Sequence, residues 1–345
     1  MDKTLKRDLV IAALEHKGGK VPHQINYTVP YVKKAQAELG NVNLEEVFQN
    51  TMMLAKYKKT KTLSETTEID IMGLKWNKDS ADGGDVGMPM EPPIKSAELF
   101  GDKFDGYSVP APDLDFARAQ AKSLADDTQG MFRMFGITFA LYERAWGLRG
   151  MEDLLMDFLC EPVFVKALLE RITEHHLALL DAVLGYDFEA VYFADDWGSQ
   201  RGLIMGADTW RKFIAPCFKR IVEKAKLKGK YVVLHSCGDN TDIIGDWIDM
   251  GVDCYQTVQP EIYDLDALKQ NFGAHISFYG AISTQQFMPF ATAAEVKGQC
   301  FKVMDILAKD GGYILSPTHN ITPDIPLENA LAVRDAANEY TYSVI

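Results

Sequence analysis

The sequence predicts an α/β protein of the (β/α)8 TIM-barrel class with an N-terminal helical extension. Strand-like stretches such as AVYFADDWG, YVVLHSCGD, CYQTV, ISFYGAIS and YILSPTHN alternate with helical stretches from Asp113 onward, and alternation of this kind implies a parallel sheet with helices outside. Their strand parts are short, mostly apolar runs, as expected of strands covered on both faces. No composition break divides the chain, so residues 1–345 are expected to form a single domain. A doubly wound open sheet is the alternative, and no GxGxxG loop supports it.

The elements follow in order. Lys3 to His16 carries Leu5, Leu9, Ile11, Ala12 and Leu14 at helical spacing and ends at Gly18-Gly19, a stop signal. A second helix is predicted over Pro30 to Leu39, and a third over LEEVFQNTMMLAKYKK, with Asn43 before it and acidic residues in its first turn. Lys75 to Pro93 is dense in Gly, Pro and Asp and reads as a long loop, a lid or binding segment. FRMFGITFALYERAWGLRG reads as a strand over Met131 to Phe135, a turn and a helix. The next stretch is helical, with Pro162 opening its second part. TWRKFIAPCFKRIVEKAKLKG and PLENALAVRDAANEYTYS are among the later helices.

Composition narrows the function classes. Hydrophobic residues make up 47% and charged residues 25%, which is ordinary for a globular protein. A net charge of −13 argues against a nucleic-acid backbone or an anionic membrane as partner. The odd, scattered set Cys160, Cys217, Cys237, Cys254 and Cys300 points to reduced thiols in a cytoplasm. Cys160, Cys217, Cys254 and Cys300 are expected in the interior. With no signal peptide and no apolar run long enough to span a bilayer, secretion and membrane insertion are not expected. A homodimer is among the expected assemblies.

In a barrel, function gathers at the C-terminal ends of the strands. Those ends carry Asp195 and Asp196, His235 and Cys237, Gln256 and Gln259, Ser283, and His319 with Asn320. His235 and Cys237 stand two residues apart, so both side chains point the same way from an extended strand. Mixed N/S donors suit Zn²⁺, and a catalytic zinc keeps three protein ligands and one open position. A core cysteine beside a histidine bonded to backbone would give the same spacing. His319 is the candidate third ligand, or else a hydrogen-bond donor or general acid toward substrate. Only one of Asp195 and Asp196 can face the barrel centre, and the other is expected to cap the helix that follows. Tyr142, Trp146, Phe193 and Trp197 would line a pocket or belong to the core. His175 and His176 fall mid-helix and are expected at the surface.

The stretches YFADDWGSQRGLIMG, LHSCGD, GVDCYQTVQP, FGAHISFYGAISTQ and GGYILSPTHNITPDIPLENA together resemble the uroporphyrinogen decarboxylase superfamily, over nearly the whole chain. The resemblance implies a (β/α)8 barrel and one of two activities. Decarboxylases of the family carry an N-terminal Arg-rich signature of the form MRQAGRY, and this chain has KVPHQINYTVPYVKKAQAEL there. The other branch comprises cobalamin-dependent methyltransferases, whose His-x-Cys pair binds zinc. Carried over, His235 and Cys237 are zinc ligands here. Thiol-methylating members have a further cysteine where this chain has His319, and many relatives have an aspartate where it has Ser283.

The resemblance therefore implies a zinc-dependent methyltransferase that passes a methyl group from a small donor, such as a phenyl methyl ether, to the cobalamin of a partner corrinoid protein. Asp195, Asp196 and His319 are the expected catalytic groups. His235, Cys237 and His319 are the expected metal ligands. Gln256, Gln259, Ser283, Asn320, Trp197 and Tyr142 are the expected substrate contacts. A metal-free decarboxylase of a porphyrinogen or smaller carboxylate is the second reading, and a non-catalytic barrel the third. Arg133, Arg144 and Arg201 are few cations for a polycarboxylate.

Overall fold

Each apolar run becomes a buried strand because both of its faces are covered. The parallel strands are β1 (Met52–Lys56), β2 (Phe132–Thr138), β3 (Ala190–Ala194), β4 (Tyr231–His235), β5 (Cys254–Val258), β6 (Ser277–Ile282) and β7 (Tyr313–Pro317), with helices between successive strands. This β/α succession is the (β/α)8 class that the sequence predicts. The computed structural model describes residues 3–78 and 87–340, and the chain divides into two compact units by its own contacts.

One unit holds residues 54–126 and 134–251. Within it β2, β3 and β4 pair in parallel, with Thr138 opposite Ala194 and Ala194 opposite His235. Phe193 turns outward onto Phe218 of the helix Ala215–Lys226, ring centroids 5.9 Å apart. Alternation then sends Tyr192 and Ala194 to the opposite face, where Tyr192 meets the His235 ring at 6.3 Å. Trp197, Trp210, Phe218 and Trp247 form a fully buried aromatic cluster just past the end of β3.

The other unit holds residues 1–53, 127–133 and 252–345. Here β5, β6 and β7 pair in parallel, Cys254 with Ser277 and Phe278 with Tyr313. The polar segment 22–28 adds a further parallel stave along β7. Gln24 N–H donates to Leu315 O at 3.0 Å, and Ile321 N–H to Asn26 O at 2.8 Å. On its other side, side chains replace a ladder: Ile25 N–H donates to Asn50 Oδ1 (2.8 Å), Thr51 Oγ1 to His23 O (2.7 Å) and Met52 N–H to Gln24 Oε1 (3.0 Å).

Several expectations are corrected. The third helix spans only Leu44–Phe48, capped by Asn43 as predicted. It stops at Gln49, which is left-handed, and the residues read as its continuation form β1. Met52, Met53, Leu54 and Ala55 fit a helical stripe and a strand equally well, and pairing decides for the strand. The predicted loop from Lys75 is structured at both flanks: Lys75–Asn77 pairs antiparallel with Met88–Pro89 and joins Thr60–Thr62 and Thr67–Asp70 in a four-stranded sheet. The intervening part of that loop, 79–86, lies outside the described residues. The helix from Thr209 opens with a π-helical turn, Trp210–Ile214. Cys160 is exposed at the end of the helix Met151–Cys160, whereas Cys217, Cys254 and Cys300 are buried as expected. His175 and His176 are buried, each held by a backbone carbonyl, Pro110 O at 2.7 Å and Ala140 O at 2.6 Å.

Candidate metal centre

β3 and β4 bring the donors together by parity. Ala194 pairs with His235, and two residues further along each chain stand Asp196 and Cys237. One ligand atom from each of Asp196, His235 and Cys237 lies within 4.8 Å of the other two, and this is the group among the described residues able to hold a metal ion. Cys237 Sγ is 3.4 Å from His235 Nε2, and His235 Nε2 is 3.6 Å from Asp196 Oδ1. Zinc bonds of about 2.0–2.3 Å at tetrahedral angles separate neighbouring ligand atoms by roughly 3.3–3.6 Å. The donor set therefore fits a zinc-sized ion, with three protein ligands and a fourth position left for another ligand.

The turn after β4 is clamped in place. Cys237 N–H donates to Asp196 Oδ1 at 2.8 Å, so one carboxylate both faces the group and fixes the backbone of its neighbour. Asn240 Nδ2 donates to Cys237 O and Gly238 O, each at 3.0 Å. Gly238, at φ +78°, passes so close to Gly198 that a Cβ there would lie 2.3 Å from the Gly198 carbonyl carbon.

Behind the donors sits a second acidic group. Asp195 is fully buried and its carboxylate accepts Tyr142 N–H (2.8 Å), Glu143 N–H (2.8 Å) and Trp197 Nε1–H (2.7 Å). It thus caps the helix Tyr142–Arg149 from another strand, satisfying amides that a helix start leaves unpaired. Burial pushes its carboxyl up to about 6, against the pull of those donors. Glu143 in turn accepts the Asp196 N–H, and burial with the charges of Asp196 and Asp195 pushes its carboxyl well up. Burial, then the Asp196 charge, also pushes the Cys237 thiol well up. Such an accumulation of acidic groups is what a bound cation relieves.

Among the expected catalytic groups, Asp195 is corrected to a structural clasp. Asp196 takes the third place in the donor group where His319 was expected, because it shares strand parity with its neighbour β4. Trp197 is also corrected: its ring is enclosed by Trp210, Phe218 and Trp247, and its N–H is committed to Asp195. Tyr142 is fully buried, and its hydroxyl has no hydrogen-bond partner among the described residues. The other expected residues belong to the second unit. Gln256 and Gln259 are buried, Ser283 Oγ donates to the Glu261 carboxylate, His319 is half-buried and Asn320 is exposed. Glu143 was not foreseen, since an acidic residue in a helix's first turn ordinarily answers the helix dipole. Asp70 and Trp76 were not foreseen either. Asp70 anchors Arg144, whose Nη1 is 2.5 Å from Asp70 Oδ2, and Trp76 Nε1–H donates to the same carboxylate oxygen.

Compared with known proteins, residues 67–340 match the family described as uroporphyrinogen decarboxylase (URO-D). The methylcobamide:CoM methyltransferase MtaA of Methanosarcina barkeri is 26% identical over 205 residues, 56% of this chain and 57% of that protein. The uroporphyrinogen decarboxylase of Methylococcus capsulatus is 20% identical over 186 residues, 52% of this chain and 50% of that protein. The match thus spans only about half the length of these curated relatives. A solved methyltransferase from Methanosarcina mazei superimposes with a TM-score of 0.73 at 18% identity, covering 97% of this chain and 98% of that one, and so shares the fold.

Proposed function

The chain belongs to the uroporphyrinogen decarboxylase family, and from that premise we propose that it is a zinc-dependent, corrinoid-linked methyltransferase. The observation that carries the reading is the Asp196, His235 and Cys237 group, whose donor types and spacings suit a catalytic zinc. A zinc ion there would act as a Lewis acid on the heteroatom that bears the methyl group. The proposed methyl acceptor is the cob(I)alamin of a partner corrinoid protein; the M. barkeri relative is also named for a cobamide, but there as the methyl donor, so the two would share the corrinoid and differ in direction. A phenyl methyl ether is the proposed donor, which makes the protein the first component of an O-demethylase system in the cytosol. The whole chain is proposed to work as one domain, in keeping with a family match that includes residues of both units.

The chain's own residues divide the work. His235, Cys237 and Asp196 hold the ion. Glu143, whose carboxyl burial and the charges of Asp196 and Asp195 push well up, is the proposed proton donor to a leaving oxygen. Gln256, Gln259, Ser283, Asn320 and His319 are proposed substrate contacts, His319 also as a proton donor. The buried Tyr142 hydroxyl is a further candidate contact. The decarboxylase reading is supported by the M. capsulatus relative but needs cationic side chains for carboxylates. Arg144 is committed to Asp70, and Arg149 to Asp153 and Asp157.

Metal analysis tests the reading. The purified protein should carry about one zinc per chain, and Cys237→Ala or Asp196→Ala should lose it together with methyl transfer from anisole-type donors to a reduced corrinoid protein. A metal-free protein whose Cys237→Ala variant keeps full activity would sink it.

A further inference from the structure

The helix that grips Asp195 also carries a buried cation. In Tyr142–Arg149 the amides of Tyr142 and Glu143 bind the Asp195 carboxylate, Glu143 accepts the Asp196 N–H, and Arg144 comes next. Arg144 therefore stands one residue from the side chain that sets Asp196, and its charge acts there. Burial, then the charges of Asp196 and Asp195, push the Glu143 carboxyl well up, and Arg144 works on it in the opposite sense. A fixed cation beside a cluster of acids competes with a metal ion for them.

One carboxylate from outside the parallel strands takes that cation up. Arg144 Nη1 lies 2.5 Å from Asp70 Oδ2, the two side chains are 9% and 8% exposed, and Asp70 is the ion-pair partner of Arg144 among the described residues. Asp70 ends a strand of the antiparallel sheet, in the same unit as Asp196, His235 and Cys237. Its carboxylate is also held by its own hairpin. Oδ1 accepts Met72 N–H (2.9 Å) and Leu74 N–H (3.0 Å), and Oδ2 accepts Trp76 Nε1–H (3.1 Å). The pair is therefore lopsided. Without Arg144, Asp70 keeps three donors. Without Asp70, Arg144 keeps its contact with the Phe139 ring, 5.6 Å to the centroid, but no carboxylate in this arrangement. A buried cation left in that state is costly, and its field falls on the nearest acids.

We propose that Asp70 is a positioning residue of the metal centre, holding and neutralising Arg144 so that Asp196 and the acids beside it stay free for a divalent cation. This deepens the metal-dependent reading above and rests on it. The antiparallel sheet that carries Asp70 then contributes to metal binding without touching the ion.

Zinc affinity, measured by chelator competition, separates this role from a purely structural one. The proteins are wild type, Asp70→Asn, Arg144→Met and the double variant. Asp70→Asn should bind zinc about tenfold more weakly, the scale of one charge acting on another through protein. Arg144→Met should bind at least as tightly as wild type. Added to Asp70→Asn it should restore affinity, because the cation is then gone. A role confined to holding the sheet predicts the reverse: Arg144→Met weakened, and the double variant no better than Asp70→Asn. Either of those results, or wild-type affinity in Asp70→Asn, overturns the proposal. If Asp70→Asn does not fold, the comparison of Arg144→Met with wild type decides alone. Methyl transfer from anisole to a reduced corrinoid protein is followed alongside. The expected zinc ranking without transfer keeps the role of Asp70 and removes the methyltransferase reading. Equal zinc affinity in all four proteins, with transfer, does the opposite. A wild type that binds no zinc removes both.

Discussion

Glu143 shows how much of the centre depends on a residue outside the donor group. It gives its amide to Asp195 and takes the amide of Asp196 on its carboxylate, so a reciprocal pair of bonds sets the backbone from which Asp196 projects. Partners of this kind commonly change metal affinity 10- to 100-fold. Glu143→Ala should therefore weaken zinc binding by about that factor in a chelator competition, while Glu143→Gln, whose amide oxygen still accepts the Asp196 N–H, should hold most of it. Equal loss in both variants would point to charge rather than placement. The thiol sets a second dependence. Without metal Cys237 is protonated at neutral pH, because burial and Asp196 raise it. Binding must then release that proton, and zinc affinity should rise about tenfold per pH unit between pH 6 and 8. A flat profile would mean that the thiol does not ligate.

At the scale of elements, the ends of β3 and β4 are held at contact distance by two glycines. A Cβ on Gly238 would meet the carbonyl carbon and oxygen of Gly198 at 2.3 and 2.5 Å, and one on Gly198 would meet Cys237 O at 2.6 Å. These are backbone atoms, so the strand ends themselves must part. Gly238→Ala, strained in addition by its positive φ, should cost about 3 kcal/mol in denaturant unfolding and should release zinc. Retained zinc with unchanged stability would show that the two turns are not locked together. This geometry also explains what could be read in advance. HSC at the end of an apolar run was legible because a two-residue spacing fixes a common face, and either Asp195 or Asp196 was legible by the same rule. Asp196 as third donor was not, since choosing it over His319 required knowing which strand lies beside β4. Segment 22–28 escaped notice because its register is set by Asn50, Thr51 and Gln24 side chains, which leave no periodic apolar signal. The sheet around Trp76 escaped because Gly, Pro and Asp in its connections read as loop.

At the scale of the whole molecule, three histidines are buried among the described residues, His23, His175 and His176, each with one ring nitrogen against a backbone carbonyl. Burial lowers all three, His23 to about 4 and His176 well below its ordinary value. In the unfolded chain they titrate near 6.5. Between that value and their folded values the unfolded state binds more protons, so folding stability is complete above about pH 6.5 and is lost as pH falls toward 4. For His23 alone the loss is on the order of 3 kcal/mol at full protonation. Asp195 works in the opposite direction, since its raised carboxyl binds a proton more tightly folded than unfolded below about pH 6 and offsets part of the loss. The two contributions separate by mutation. In urea unfolding at pH 7 and pH 5, His23→Gln, whose side-chain amide can still donate to Phe48 O, should lose less stability on acidification than wild type. If both proteins lose the same amount, His23 is not the group that senses acid, and His175→Gln and His176→Gln, at the carbonyls of Pro110 and Ala140, are the next variants to compare.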